Sequence, residues 1–162
     1  PHICTMPVAD LAADDCVLFM WVSWPMIQDA LQIIDAWGFT YKTCAFDWAK
    51  MKFRHGGQVE LFDDIEAIPP ADQIGCGYWT RSNTEVCLLA TRGKPKRKNA
   101  DVRMLVMEPR REHSRKPNCV YDRIERLVDG PYLELFARTQ RPGWTAWGNQ
   151  TDKFATPAAR TA

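Results

Sequence analysis

The chain has 162 residues, 46% of them hydrophobic and 25% charged, with a formal net charge of +1. That size and composition suit one globular domain able to bury its own core, and no apolar stretch approaches membrane-spanning length. The near-zero net charge conceals a basic run, Arg92, Lys94, Lys96, Arg97 and Lys98, followed by Arg103, Arg110, Arg111, Arg115 and Lys116, while acids gather at residues 10–15 and 63–66. This asymmetry predicts one positive face. In chain order, residues 16–23 form a continuous apolar run bounded by Asp14-Asp15 and Trp24-Pro25, the pattern of a central strand covered on both faces. Ile27, Ala30, Leu31 and Ile34 then recur at helical spacing, with Pro25 suited to the first turn and Gly38 to a left-handed close. Residues 40–48 return as a strand, and this strand–helix–strand order predicts a crossover unit in a parallel sheet. From Met51 to Cys76 the pattern dissolves, which predicts a long mobile loop.

Further along, residues 84–90 read as a strand, 91–100 as a basic connection and 102–107 as another strand. A helix is expected from about Asn118, with Tyr121, Ile124, Leu127 and Val128 on one face, after which Gly130-Pro131 turns the chain into a strand at Tyr132. We expect one domain over residues 1–152 and a flexible polar tail over 153–162. The cysteines, Cys4, Cys16, Cys44, Cys76, Cys87 and Cys119, lack the close pair spacing of zinc sites. Free thiols, no metal and a reducing, cytoplasmic setting are therefore expected.

Chemistry concentrates near the end of the chain. Tyr132-Leu133-Glu134-Leu135-Phe136-Ala137-Arg138 is a strand pattern carrying an acid at its centre and a base at its end, an odd placement for charge unless something binds there. Gly143-Trp144-Thr145-Ala146-Trp147-Gly148-Asn149-Gln150 then sets two indoles beside amides that donate and accept hydrogen bonds. Together they suit an amphipathic cofactor. The plainer alternative, that Asn149 and Gln150 only end a strand and Arg138 pairs with a surface acid, stays open on these residues alone. Alternation would put Glu134 on the face of Tyr132, Phe136 and Arg138, where it either binds cofactor hydroxyls or neutralises a base.

These two motifs resemble the carboxyl-terminal signature of the MT-A70 family, S-adenosylmethionine-dependent methyltransferases acting on the exocyclic amino group of adenine in DNA or RNA. Leu18-Phe19-Met20-Trp21-Val22, Ala36-Trp37-Gly38-Phe39-Thr40-Tyr41-Lys42, Gly77-Tyr78-Trp79-Thr80-Arg81-Ser82-Asn83-Thr84-Glu85, Ala90-Thr91-Arg92-Gly93-Lys94-Pro95 and His113-Ser114-Arg115-Lys116-Pro117 follow in the order that family shows. The resemblance implies an α/β fold, a Rossmann-like, mostly parallel sheet with flanking helices in the permuted arrangement of these methyltransferases. It implies S-adenosylmethionine as cofactor, its adenosyl and ribose portion held by positions matching Phe136, Arg138, Asn149 and Gln150, with Glu134 beside them as a further cofactor-binding candidate. It also implies a flipped adenine read by stacking and edge hydrogen bonds, with Trp21, Lys50, Tyr78, Trp79, Arg81, Asn83, Glu85, His113 and Lys116 on the substrate side. For the middle block the plain alternative is a core Trp79 and a local Arg81–Glu85 ion pair.

The family's Asp-Pro-Pro-Trp motif has no match here, since Pro69-Pro70 follows Ile68 and precedes Ala71. The chain therefore reads as an amino-terminally truncated domain with no catalytic residue of its own to name, and its own activity is in doubt. Expected partners are nucleic acid, DNA favoured over RNA, and no membrane, with a homo- or heterodimer compatible. The rival reading is a non-catalytic nucleic-acid-binding or scaffolding protein of the same fold. A third reading, a different cofactor enzyme on a similar sheet, is disfavoured because no glycine-rich dinucleotide fingerprint follows any strand.

Overall fold

The computed structural model describes residues 3–51, 79–80, 82–112 and 114–154. Within them run a short helix α1 (Val8–Leu11), strand β1 (Cys16–Val22), a 3-10 turn (Trp24–Met26), helix α2 (Ile27–Ala36), β2 (Thr40–Met51), β3 (Thr84–Arg92), β4 (Leu105–Pro109), α3 (Cys119–Leu127), β5 (Tyr132–Leu135) and β6 (Trp144–Trp147). The first four strands form one sheet in the order β1-β3-β2-β4, and β5 and β6 form a second, two-stranded sheet.

Patterning explains how the larger sheet is covered. Side chains alternate along a strand, and in β3 Val86, Leu88 and Ala90 enter a core shared with Ala30 and Ile34 of α2. Cys87, between them, joins Phe46, Trp48 and Val106 in a second core against Val120 and Ile124 of α3. The sheet is thus sandwiched between helices, and each fully buried aliphatic side chain contributes roughly 1.5–3 kcal/mol through burial. Helix α2 ends as its glycine signal predicts, with Gly38 at φ +79° and its N–H on the Asp35 carbonyl at 2.9 Å.

The sheet departs from the mostly parallel expectation. β3 pairs antiparallel with both β1 and β2, and only β2–β4 is a parallel ladder in this sheet. β1 and β2 do run in the same direction, as a crossover demands, but β3 lies between them. Ala49 faces Thr84, so β2 and β3, consecutive among the described strands, are antiparallel neighbours despite the long intervening sequence that hid their pairing. The strand expected over residues 102–107 begins later, at Leu105, and the Arg123 guanidinium donates to the Arg103 and Leu105 carbonyls at its start, at 2.8 and 2.6 Å.

The expected loop between Met51 and Cys76 lies outside the described residues beyond Met51 itself. In the region read as a tail, Lys153 and Phe154 sit in a turn, where the Phe154 N–H donates to the Arg138 carbonyl at 3.3 Å. No helix among the described residues is long and apolar enough to cross a membrane.

Candidate functional site

β1, β2 and β4 point their carboxyl ends the same way, and β3 begins beside them. The side chains gathered there are Trp21 near the end of β1, Lys50 near the end of β2 and Glu85 at the start of β3, with Lys116 arriving from the segment before α3. Register explains the meeting: Glu85 faces Trp48 across the ladder, and Lys50, two residues on from Trp48, shares its side of the strand. Lys50 Nζ lies 2.7 Å from Glu85 Oε1, and Lys116 Nζ pairs with Glu85 Oε2. Each lysine also sits over an indole, Lys50 over Trp48 at 5.4 Å and Lys116 over Trp21 at 5.2 Å from the ring centroid. Burial alone would raise the Glu85 pKa, but the two ammonium groups outweigh it and hold the carboxyl below its ordinary range.

Two open clefts meet at this triad. The larger, about 400 Å³, is lined by Trp21, Trp24, Ser82 and Thr84 together with Lys50, Glu85 and Lys116. The smaller, about 240 Å³, adds Arg110, Arg111 and Arg115 to the same three charged groups. In the larger cleft the Trp24 indole is half exposed, and its Nε1–H donates to Thr84 Oγ1 at 3.0 Å, which fixes the ring at one edge.

Four of the sequence-derived substrate residues, Trp21, Lys50, Glu85 and Lys116, therefore meet at one place. Asn83 contributes its backbone carbonyl to the Lys50 N–H at 3.1 Å. Trp79 is 99% exposed, which excludes the core alternative, and it lines neither cleft. Tyr78, Arg81 and His113 lie outside the described residues. Sequence reasoning passed over Trp24, which it used only as a strand terminator; the available signal was a large aromatic immediately beyond the carboxyl end of a buried strand.

The cofactor-side residues occupy the equivalent end of the second sheet. β5 and β6 run parallel with Leu135 opposite Trp147, and Ala137 N–H donates to the Trp147 carbonyl at 2.9 Å. The expected alternation holds for Tyr132 and Glu134 but stops at Leu135, because Phe136 adopts φ +59°. Phe136 thereby leaves the Tyr132 face and meets Trp147 edge to face at 5.7 Å, both rings about half exposed. Gly148 makes this junction feasible, since a Cβ there would lie 3.0 Å from both the N and O of Ala137. Asn149 and Gln150 follow at the surface.

Glu134 is engaged elsewhere. Its carboxylate accepts the Tyr121 hydroxyl at 2.9 Å, in a cluster where Trp144 stacks on Tyr132 and meets Tyr121 edge to face. Burial raises the Glu134 pKa, offset in part by the Tyr121 bond, while burial and then Glu134 itself raise that of Tyr121. Glu134 is thus a strut between β5 and α3. None of Glu134, Phe136, Arg138, Asn149 and Gln150 lines either cleft, but a short bridge joins the two ends: the Arg115 guanidinium stacks over Phe154 at 4.9 Å, and Phe154 bonds to Arg138 through the backbone. The five cysteines among the described residues are free thiols.

A mixed α/β sheet with polar groups gathered beyond the carboxyl ends of its strands is the arrangement of a ligand-binding or catalytic domain. Its sequence places it more narrowly. The MT-A70 family model matches residues 1–150, and the chain belongs to that family of adenine methyltransferases. Similar relatives include the type II methyltransferase M.MunI of Mycoplasma sp, 35% identical over 146 residues, covering 88% of this chain and 54% of that protein. The human N(6)-adenine-specific methyltransferase METTL4 is 30% identical, over 92% of this chain and 31% of its own length. The human N(6)-adenosine-methyltransferase catalytic subunit METTL3 is 29% identical, over 86% and 22% respectively. The chain thus spans about half or less of the length of these relatives.

Proposed function

We propose that this polypeptide supplies the cofactor-binding and base-binding surfaces of an S-adenosylmethionine-dependent enzyme that methylates the exocyclic amino group of adenine in nucleic acid, with DNA the favoured substrate. The observation that carries this is the meeting of Trp21, Trp24, Lys50, Glu85 and Lys116 in one cleft at the carboxyl end of the sheet. An adenine needs a flat wall and hydrogen-bonding groups at its edge. The Trp24 indole, held by Thr84, offers the wall. Glu85, kept ionised by its two lysines, offers acceptors at the floor.

The donor set at the end of β5 and β6 fits the proposed cofactor. Phe136 and Trp147 give half-exposed aromatic surface, Asn149 has no side-chain bond among the described residues, and the Gln150 carbonyl oxygen meets only a surface lysine, Lys153, at 3.3 Å. Such amides suit ribose hydroxyls and adenine ring nitrogens. When bound, S-adenosylmethionine supplies an electrophilic methyl group on a sulfonium. The residues of this chain orient the two reactants, a contribution that can remove several kcal/mol of barrier, roughly 7–11 in the best intramolecular cases. The acceptors that would draw electron density onto the adenine nitrogen belong to a motif this sequence does not contain, so binding is the property to measure.

Fluorescence anisotropy with single-stranded oligonucleotides carrying one adenine, made as DNA and as RNA, tests the reading in the presence of the demethylated cofactor. Tighter binding to the adenine strand than to the same strand with an abasic position, and tighter DNA than RNA, is expected. Equal affinity for adenine and abasic strands would remove the base-cleft assignment.

A further inference from the structure

The smaller cleft holds charge that the base-binding reading leaves unused. Its walls carry Lys50, Lys116, Arg110, Arg111 and Arg115, with Glu85 between the lysines. Two carboxylates on the same cleft answer only part of this charge: both lysines share Glu85, and Arg115 pairs with Glu112 at 2.9 Å, so five cationic side chains face two acids. Arg110 and Arg111 make no hydrogen bond or ion pair with another described residue, although Arg111 lies within electrostatic reach of Glu112. They directly follow β4, whose last residue, Pro109, lies beside Met51 at the end of β2, so the backbone fixes them at the same carboxyl edge as the triad. Two adjacent guanidiniums on a cleft with this excess of positive charge suit an anionic ligand.

We propose that the Arg110–Arg111 cleft is a phosphate subsite for the nucleic-acid backbone next to the target adenine, a proposal that rests on the base-cleft reading above. Lys50, Glu85 and Lys116 form the wall common to both clefts. A nucleotide whose base enters the larger cleft therefore has its sugar–phosphate link led past this wall into the smaller one. Guanidinium recognises phosphate through paired N–H donors, and this contact carries position along the strand without sequence information. Arg110 and Arg111 hold the strand while the Trp24 side reads the base.

The salt dependence of binding separates the two parts. Log affinity for a single strand falls with log salt at about 0.7 per neutralised phosphate. Anisotropy titrations of an adenine-containing single-stranded DNA across a salt series would compare wild type with Arg110→Ala/Arg111→Ala, the charge-keeping Arg110→Lys/Arg111→Lys, and Trp24→Ala. The alanine pair should flatten the slope by about 0.7–1.4, for one or two lost contacts, while the lysine pair keeps it. Trp24→Ala should weaken binding at every salt concentration with the slope unchanged, and binding of free adenosine should be indifferent to the arginine pair. An unaltered slope in Arg110→Ala/Arg111→Ala, with the Trp24 effect intact, would overturn the phosphate subsite and leave the base cleft standing. A wild-type protein that binds neither strand nor adenosine would overturn both.

Discussion

The end of the four-stranded sheet and the end of the β5–β6 pair do different work with similar geometry. At the first, a carboxylate is held between two ammonium groups, themselves seated on indoles, so each of its oxygens has one partner before any ligand arrives and keeps capacity to accept another. At the second, the half-buried Glu134 is spent on Tyr121 as a strut, and the groups left at the surface are amides and half-exposed rings. The comparison teaches that a charged residue in a strand is not by itself a ligand contact: Glu85 sits at the triad where both clefts meet and Glu134 in the scaffold. The strand pattern around each acid is much the same.

Breaking the triad should give the largest effect. Glu85→Ala leaves Lys50 and Lys116 facing each other, about a fifth to a quarter exposed, and should cost about 2–3 kcal/mol, less than the 3–5 of a fully buried pair. Urea unfolding measures this. The acid dependence should share the cause: with its folded pKa lowered, Glu85 contributes stability that is complete above the ordinary value near 4.5 and lost as pH falls through the folded one. A wild-type stability as flat below that pH as that of Glu85→Gln would show the pairing to be inconsequential.

At the other end, Gly148→Ala pushes a methyl against Ala137, which cannot withdraw because its N–H is committed to Trp147. A loss of about 1–2 kcal/mol is expected, with weaker cofactor binding and unchanged capture of the adenine strand. Parallel loss of both affinities would mean the two ends do not act separately. Trp24→Ala should leave stability within about 0.5 kcal/mol and weaken the adenine strand by about 1–3 kcal/mol, the worth of one stacked base.

The smallest effect sharpens the contrast between the acids. Glu134 has a raised pKa in the folded state, so the folded protein binds more protons there and stability rises as pH falls through that raised value toward the ordinary one. Glu134→Gln should remove this slope and keep the Tyr121 bond, changing stability by less than about 1 kcal/mol at neutral pH. Stability profiles of the two proteins above pH 4.5 decide it; superimposed curves would deny Glu134 its unusual proton affinity.

Much of this was legible in the sequence. The apolar run of β1, the periodicity of α2 and the Gly38 stop depend on local patterns, and they appear where those patterns put them. The insertion of β3 between β1 and β2 was not legible, because pairing depends on contacts across a long stretch that carries no local signal. Lys50, Glu85 and Lys116 could be named singly from motifs, but their convergence follows from register and from the segment entering α3. Glu134 was misplaced with Phe136 because alternation was carried one residue past the end of β5, where a positive φ turns the chain. Trp24 was overlooked because the residue that fixes it, Thr84, lies sixty positions away.

The central claim is that the amides after β6 bind the methyl donor while the cleft beyond β1 binds the base. Calorimetric titration of S-adenosylmethionine into wild type, Asn149→Ala and Trp24→Ala tests it most directly. The account predicts about a five- to tenfold loss of affinity for Asn149→Ala, the worth of about one hydrogen bond, and none for Trp24→Ala. Equal affinity in wild type and Asn149→Ala, or a loss confined to Trp24→Ala, would contradict it.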